Sequence, residues 1–220
     1  MMHQAEEDYL KLIYELSIET NTHYIKTSDL AEKFGYTVQS VNEMVKRLDK
    51  KKLLIYEPYK GIKLTDKGNK EAIRMTRAHR IWEVFLSEKL GLSWESLHEE
   101  AENLEHATSK KVLEKLHAFL GYPKYCNHGN PIPDEYGKVE RPAHSPLYGL
   151  KEGDQFLIKR VLDHKPLLKH LNDINIGLNE PIKVVKKESL GDIIYIAKDD
   201  QIKPIAKRIA KMIFVEKRSD

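Results

Sequence analysis

From Ala5 to about Ser17 the apolar residues Tyr9, Leu10, Ile13, Tyr14 and Leu16 recur at helical spacing, which predicts an amphipathic helix. The next stretch, TSDLAEKFG at 27–35, offers Thr27 or Ser28 as an N-cap, Leu30, Ala31 and Phe34 as an apolar face, and Gly35 as a stop. A tight turn at Gly35-Tyr36 follows, and Thr37 can cap a third helix, VQSVNEMVKRLDKKK. Its Val38, Val41, Val45 and Leu48 are expected inside, with Gln39, Ser40, Asn42, Glu43, Lys46 and Arg47 outside. LLIYEPYKGIKLT then alternates around EPYKG, the pattern of a β-hairpin with a basic tip.

Beyond Thr65 the pattern predicts a longer amphipathic helix to about Leu90, stopped by Gly91, with His79 and Glu83 one turn apart. A second helix starts near Ser93, and a third, SKKVLEKLHAFL, ends at Gly121. Trp82, Phe85, Leu86, Trp94, Leu97, Leu104, Leu113, Leu116 and Phe119 suffice for a small helical core, one that a second subunit would complete. The segment YPKYCNHGNPIPDEYGKVERPAHSPLYG is rich in Pro and Gly without a sustained period, so it reads as loop or linker. From about Leu150 come short β-like runs, DQFLIKRVL, PIKVVKKES, GDIIYIA and KMIFVEK, with brief helical pieces at KPLLKHL and near PIAKRIA. Strands this short in about 70 residues suggest a small barrel. The expected layout is an N-terminal domain of helices and a hairpin at 1–72, a helical domain at 73–142, a linker at 143–149 and a small β domain at 150–220.

Composition narrows the partners only a little. At 220 residues with 32% charged and a net charge of +3, bulk charge dictates no partner, so local basic patches matter instead. The N-terminal MMHQAEEDYLKLIYEL is acidic where a signal peptide would be basic, and no apolar run is long enough to span a bilayer; a cytoplasmic protein with no membrane partner is expected. The single cysteine, Cys126, excludes an internal disulfide and leaves a packing, ligand or nucleophile role.

Two short helices about a glycine turn, followed by a hairpin, form the order of a winged helix-turn-helix. Thr37, Val38, Gln39, Ser40 and Asn42 stand at the front of the second helix, where short side chains can reach base edges; Lys46, Arg47 and Lys60, with neighbouring lysines, suit phosphates. A second chemistry appears in HEEAENLEHATS, 98–109. On a helix, His98, Glu102, Glu105 and His106 fall within roughly a quarter turn of one another. Such a stripe is either a solvated acidic face or a metal site, because carboxylates packed together repel unless a cation lies among them, and imidazole beside carboxylate suits Mn, Fe or Zn. Cys126 and His128 in CNHGNP add a thiol and an imidazole two apart on a Gly-rich loop.

A winged helix, then His79-x-x-x-Glu83 and Glu102-x-x-Glu105-His106, then the GNPIP loop and a small β domain, together resemble the diphtheria toxin repressor and manganese transport regulator family over essentially the whole chain. The likeness is nearest to its three-domain manganese repressors. It implies an α+β multidomain fold with an N-terminal winged helix-turn-helix, an all-α dimerisation domain and a C-terminal SH3-like β-barrel. It also implies a homodimeric repressor that uses a divalent metal as co-repressor and binds palindromic double-stranded DNA upstream of metal-uptake genes. By the same resemblance one metal site combines Asp8, Glu102, Glu105 and His106, and another Glu83, Cys126, His128 and Asp163; His79 and His98 match ligand positions whose site differs between branches. In the iron-sensing branch sulfur-bearing residues stand at the positions of Asp8 and Glu102. Carboxylates there shift the expected metal to Mn²⁺, with Fe²⁺ and Zn²⁺ as alternatives. Lys11 stands where the shorter manganese regulators carry a glutamate that bridges two ions, which argues against a two-ion cluster.

Two other readings compete. A metallohydrolase would need an activated water, yet the acidic helix lacks H-E-x-x-H, because Glu102 stands where the second histidine would be. A winged-helix regulator sensing an organic ligand would leave the Glu/His stripe merely solvated.

Overall fold

A computed structural model describes residues 2–217 apart from Glu135, His144 and Ser189, and apart from the side chain of Glu95. The chain divides into two compact units, Met1–His79 with Glu102–Lys115 and Pro133–Val139, and Arg80–Ala101 with Leu116–Ile132 and Glu140–Asp220. The last three residues of the expected β domain, 218–220, lie outside the described residues.

The first unit holds α1 (Gln4–Glu19), α2 (Thr27–Phe34), α3 (Val38–Lys50) and the hairpin β1 (Leu54–Glu57) and β2 (Gly61–Leu64). Leu10, Ile13, Leu30, Val41, Val45, Leu48, Leu54 and Ile62 form its buried core. Gly35 ends α2 in the left-handed region at φ 67°, as a stop glycine should, and the Thr37 hydroxyl accepts from the Ser40 amide at 3.2 Å to open α3. The wing is pinned at its base: Ile25 and Ile62 exchange both backbone hydrogen bonds at 2.8 Å. Gly61 sits at φ +119°, where an added Cβ would lie 2.6 Å from the Ile25 carbonyl, so this crossing requires glycine.

Three local expectations need correction in this unit. Neither Thr27 nor Ser28 caps α2; the N-cap is Lys26, and the Ser28 hydroxyl turns to Asp29. Helix α3 stops at Lys50 rather than running through Lys52, which takes a positive φ of 57°. Val38 is 47% exposed instead of buried, because the first turn of α3 projects beyond the core that Val41 and Val45 enter one turn later.

Helix α4 (Asp66–Leu90) runs through both units, as does α5 (Trp94–Glu105); α6 (Lys110–Phe119) follows. The second unit is completed by β3 (Gln155–Val161), α7 (Lys165–Asp173), β4 (Pro181–Glu188), β5 (Ile193–Lys198), β6 (Gln201–Ala206), α8 (Lys207–Ala210) and β7 (Ile213–Lys217). The strands form one antiparallel sheet in the order β6-β5-β4-β3-β7. Its core gathers Phe156, Ile158, Val161, Leu168, Val184, Ile194, Ile196 and Ile213, with Trp94 from α5 packed against it. The strand β6 is the element the periodicity hides. Pro204, Ile205 and Ala206, read as the start of a helical piece, pair with β5, and only four residues of α8 are helical. Among the described residues no helix is long and apolar enough to cross a membrane.

Candidate metal centre and nucleic-acid interface

The first cluster grows from α1. Glu7 and Asp8 leave its first turns side by side, and within the same unit the end of α5 supplies Glu105 and, one residue beyond the helix, His106. One ligand atom each of Asp8, Glu105 and His106 lies within 4.8 Å of the others. His106 Nε2 stands 2.9 Å from Asp8 Oδ1 and 3.7 Å from Glu105 Oε1. Burial, with Glu105 and Glu102 adding to it, holds the Asp8 carboxyl above its ordinary range despite His106 and Lys11 nearby. Glu105 is fully buried; burial works against its charge, but hydrogen bonds from His79 and Lys11 outweigh that and keep its carboxyl low.

The α5 stripe therefore does not act as one face. His98 belongs to the other unit, while Glu102, which the resemblance puts with Asp8, has a side chain 46% exposed and lies 3.6 Å from Lys11 Nζ beside the cluster. His79 reaches Glu105 Oε2 at 2.6 Å.

Sequence reasoning missed Glu7. Its Oε2 accepts from His106 Nδ1 at 2.7 Å, and its Oε1 accepts from Arg74 at 2.6 Å. A carboxylate on Nδ1 fixes the ring orientation and leaves Nε2 turned toward Asp8 and Glu105, the usual outer partner of a ligating histidine. Its signal was present in the adjacent Glu7-Asp8 pair.

The second cluster lies wholly in the second unit. Glu83, from α4, and Cys126 and His128, from the loop before β3, offer atoms within 4.8 Å of one another, and all three are buried. His128 donates from Nδ1 to Glu83 Oε1 at 2.9 Å and from Nε2 to the Trp94 carbonyl at 3.3 Å. Asp163, just past β3, has Oδ2 4.0 Å from His128 Nδ1 and 2.5 Å from His98 Nδ1. Burial disfavours a charged His128 ring, yet Glu83, Cys126 and Asp163 outweigh it and push its pKa up to about 12; burial pushes the Cys126 thiol up. Gly129, at φ +78°, lets the loop press on β3: an added Cβ would lie 1.9 Å from the Lys159 carbonyl. Arg160 ties the same region, donating to the Ala143 carbonyl at 2.8 Å and lying 3.5 Å from Asn130 Oδ1.

On the side expected to read DNA, Thr37, Val38, Gln39 and Ser40 are exposed and Asn42 half-buried at the start of α3, with Lys46 exposed later along it. Arg47 and Lys60 are partly engaged: Arg47 pairs with buried Glu6 at 3.0 Å, and Lys60 with Glu57 at 2.8 Å. Hydrogen bonds from Lys60, Tyr24 and Lys63 hold the Glu57 carboxyl down at about 2.

The fold and these clusters define a winged-helix DNA-binding protein whose carboxylates and histidines gather in clusters that could hold an ion. Residues 1–62 match the iron dependent repressor N-terminal DNA binding domain, 65–134 the iron dependent repressor metal binding and dimerisation domain, and 145–217 the FeoA domain. An HTH-type transcriptional regulator of Methanocaldococcus jannaschii is 43% identical over 119 residues, covering 54% of this chain and 94% of its own length. The structure of the manganese regulator SloR superposes with a TM-score of 0.84 at 35% identity, covering 97% of this chain and 98% of that one. A manganese-dependent transcriptional repressor in complex with manganese superposes at 0.89 with 29% identity, covering 97% and 100%. The chain belongs to the iron-dependent repressor family of metal-dependent transcriptional regulators. These relatives are named as regulators, and none as an enzyme.

Proposed function

We propose that this protein is a cytoplasmic, homodimeric repressor that takes Mn²⁺ as co-repressor and binds a palindromic DNA operator controlling metal uptake. The observation that carries the reading is the convergence of Asp8 from α1 with Glu105 and His106 from ninety-odd residues later. Two carboxylates are hard donors, and joined by one borderline imidazole they make a set that suits Mn²⁺ and Fe²⁺. The raised Asp8 carboxyl, crowded by Glu105 and Glu102, is relieved by a cation, so the donor set fits the ion. A bound divalent ion supplies positive charge shared between α1 and the segment after α5.

Asp8 lies on the helix that packs against the helix-turn-helix, so fastening it to Glu105 and His106 fixes the posture of α3. Moving such an equilibrium from mostly inactive to mostly active takes about 5.5 kcal/mol of differential binding, within reach of a multi-ligand site. Glu83, Cys126, His128 and Asp163, with His98, would hold a second ion, where the thiolate also accepts Zn²⁺. Thr37, Val38, Gln39, Ser40 and Asn42 read base edges, while Lys46 takes phosphates directly and Arg47 and Lys60 do so after exchanging their present carboxylate partners. Phe119, 66% exposed, and Leu90, 58% exposed, offer apolar surface for a second copy to cover.

The test is the affinity for DNA upstream of the organism's own metal-uptake genes at fixed ionic strength, with chelated protein and then with Mn²⁺. A sharp rise with Mn²⁺ is expected. Equal affinity in both states would overturn the co-repressor reading.

A further inference from the structure

At the first cluster a cation is already present, and it is part of the chain. Lys11 is 5% exposed on α1, and its ammonium donates to both oxygens of Glu105, at 2.8 and 3.0 Å. The same nitrogen lies 3.6 Å from Glu102 Oε1 and 3.4 Å from His79 Nδ1. Burial acts against its charge, but Glu105, with Glu15 and Glu102, outweighs that and holds the ammonium above its ordinary range. Glu105 also takes His79 on Oε2, so both of its oxygens are engaged by groups of the protein itself.

We propose that Lys11 is a tethered cation that satisfies Glu105 when no ion is bound and thereby sets how tightly the Asp8/Glu105/His106 cluster holds a divalent ion. The inference rests on the metal-binding reading above. Its logic is one of opposite signs. Without an ion, a fully buried carboxylate needs a partner, and Lys11 supplies it; removing that positive charge destabilises the protein. With an ion, the ammonium and the ion share one carboxylate, and like charges at that range repel; removing the ammonium tightens ion binding. A side chain that only packs would lower both quantities. Lys11 thus trades affinity for metal-free stability, so that a cluster built of Asp8 and Glu105 responds to a higher ion concentration than the carboxylates alone would.

The experiment is Mn²⁺ titration and thermal melting of the full chain carrying Lys11→Gln, which still donates to Glu105 but has no charge, and Lys11→Arg, which keeps the charge. The expected result for Lys11→Gln is a lower metal-free Tm together with Mn²⁺ affinity raised roughly tenfold or more at one site. Lys11→Arg stays within about threefold of the wild type, because the charge is kept. The gain disappears in a His106→Ala background, which removes the only nitrogen ligand of the three. Equal Mn²⁺ affinity in wild type and Lys11→Gln overturns the inference while leaving the metal reading standing. So does a gain of the same size in Lys11→Arg. Absence of Mn²⁺ uptake by wild type and both variants overturns the metal reading, and the inference with it.

Discussion

The two clusters balance charge in different ways. The first is rich in oxygen donors and half open, with the Asp8 side chain 34% exposed, and it balances buried Glu105 with a lysine. The second is closed, with Glu83 1% and His128 0% exposed, contains the only thiol, and balances Glu83 with a proton kept on His128. An ion entering the second must therefore expel protons from His128 and Cys126, whereas an ion entering the first meets a fixed ammonium. Under the proposed function the first cluster responds to the ion and is joined to α2 and α3 through α1, while the second holds the loop at 126–131 against β3.

The largest break in that comparison should come from Glu105→Ala. It leaves Lys11 buried without its carboxylate, so metal-free stability drops by about 3–5 kcal/mol and the Mn²⁺-dependent gain in DNA affinity is lost. Calorimetry and a binding titration check it; retention of the full gain by this variant and by Asp8→Ala would end the coupling of α1 to the cluster. Gly129→Ala comes next. It forces a Cβ into the Lys159 carbonyl at a positive φ, for about 2–3 kcal/mol, and should disturb the second cluster alone, leaving one Mn²⁺ equivalent bound at the first.

Glu7→Ala removes the acceptor that orients His106. Mn²⁺ affinity at the first cluster should fall about tenfold, read by isothermal titration, with the second cluster unchanged. Cys126→Ser is the smallest for folding, about 1 kcal/mol, because the buried hydroxyl that replaces the thiol has polar Glu83 and His128 beside it. It should nonetheless shrink the Tm shift on adding metal; an undiminished shift with Mn²⁺ would remove Cys126 from the ligands.

Legibility in the sequence followed the range of the interaction. The ends of α4 and the hairpin about EPYKG came out of periodicity and turn residues, since those signals are local. Strand β6 did not, because IKPIA carries too little alternation and a proline, and its identity rests on pairing with β5. Val38 looked apolar and inward, yet one helical turn decides whether a valine enters the core or meets solvent.

The sequence by itself determined most of the elements, the winged-helix order and most of the candidate ligand side chains, because spacing along one helix or loop is written in consecutive residues. Only the tertiary structure decided how those side chains group. It parted His98, on α5, from His106, one residue past its end, set Glu7 behind His106 across 99 positions of sequence, and lodged Lys11 on Glu105 across 94. Such meetings depend on how helices pack against one another, and no periodicity within a single segment encodes the partner that a distant segment brings.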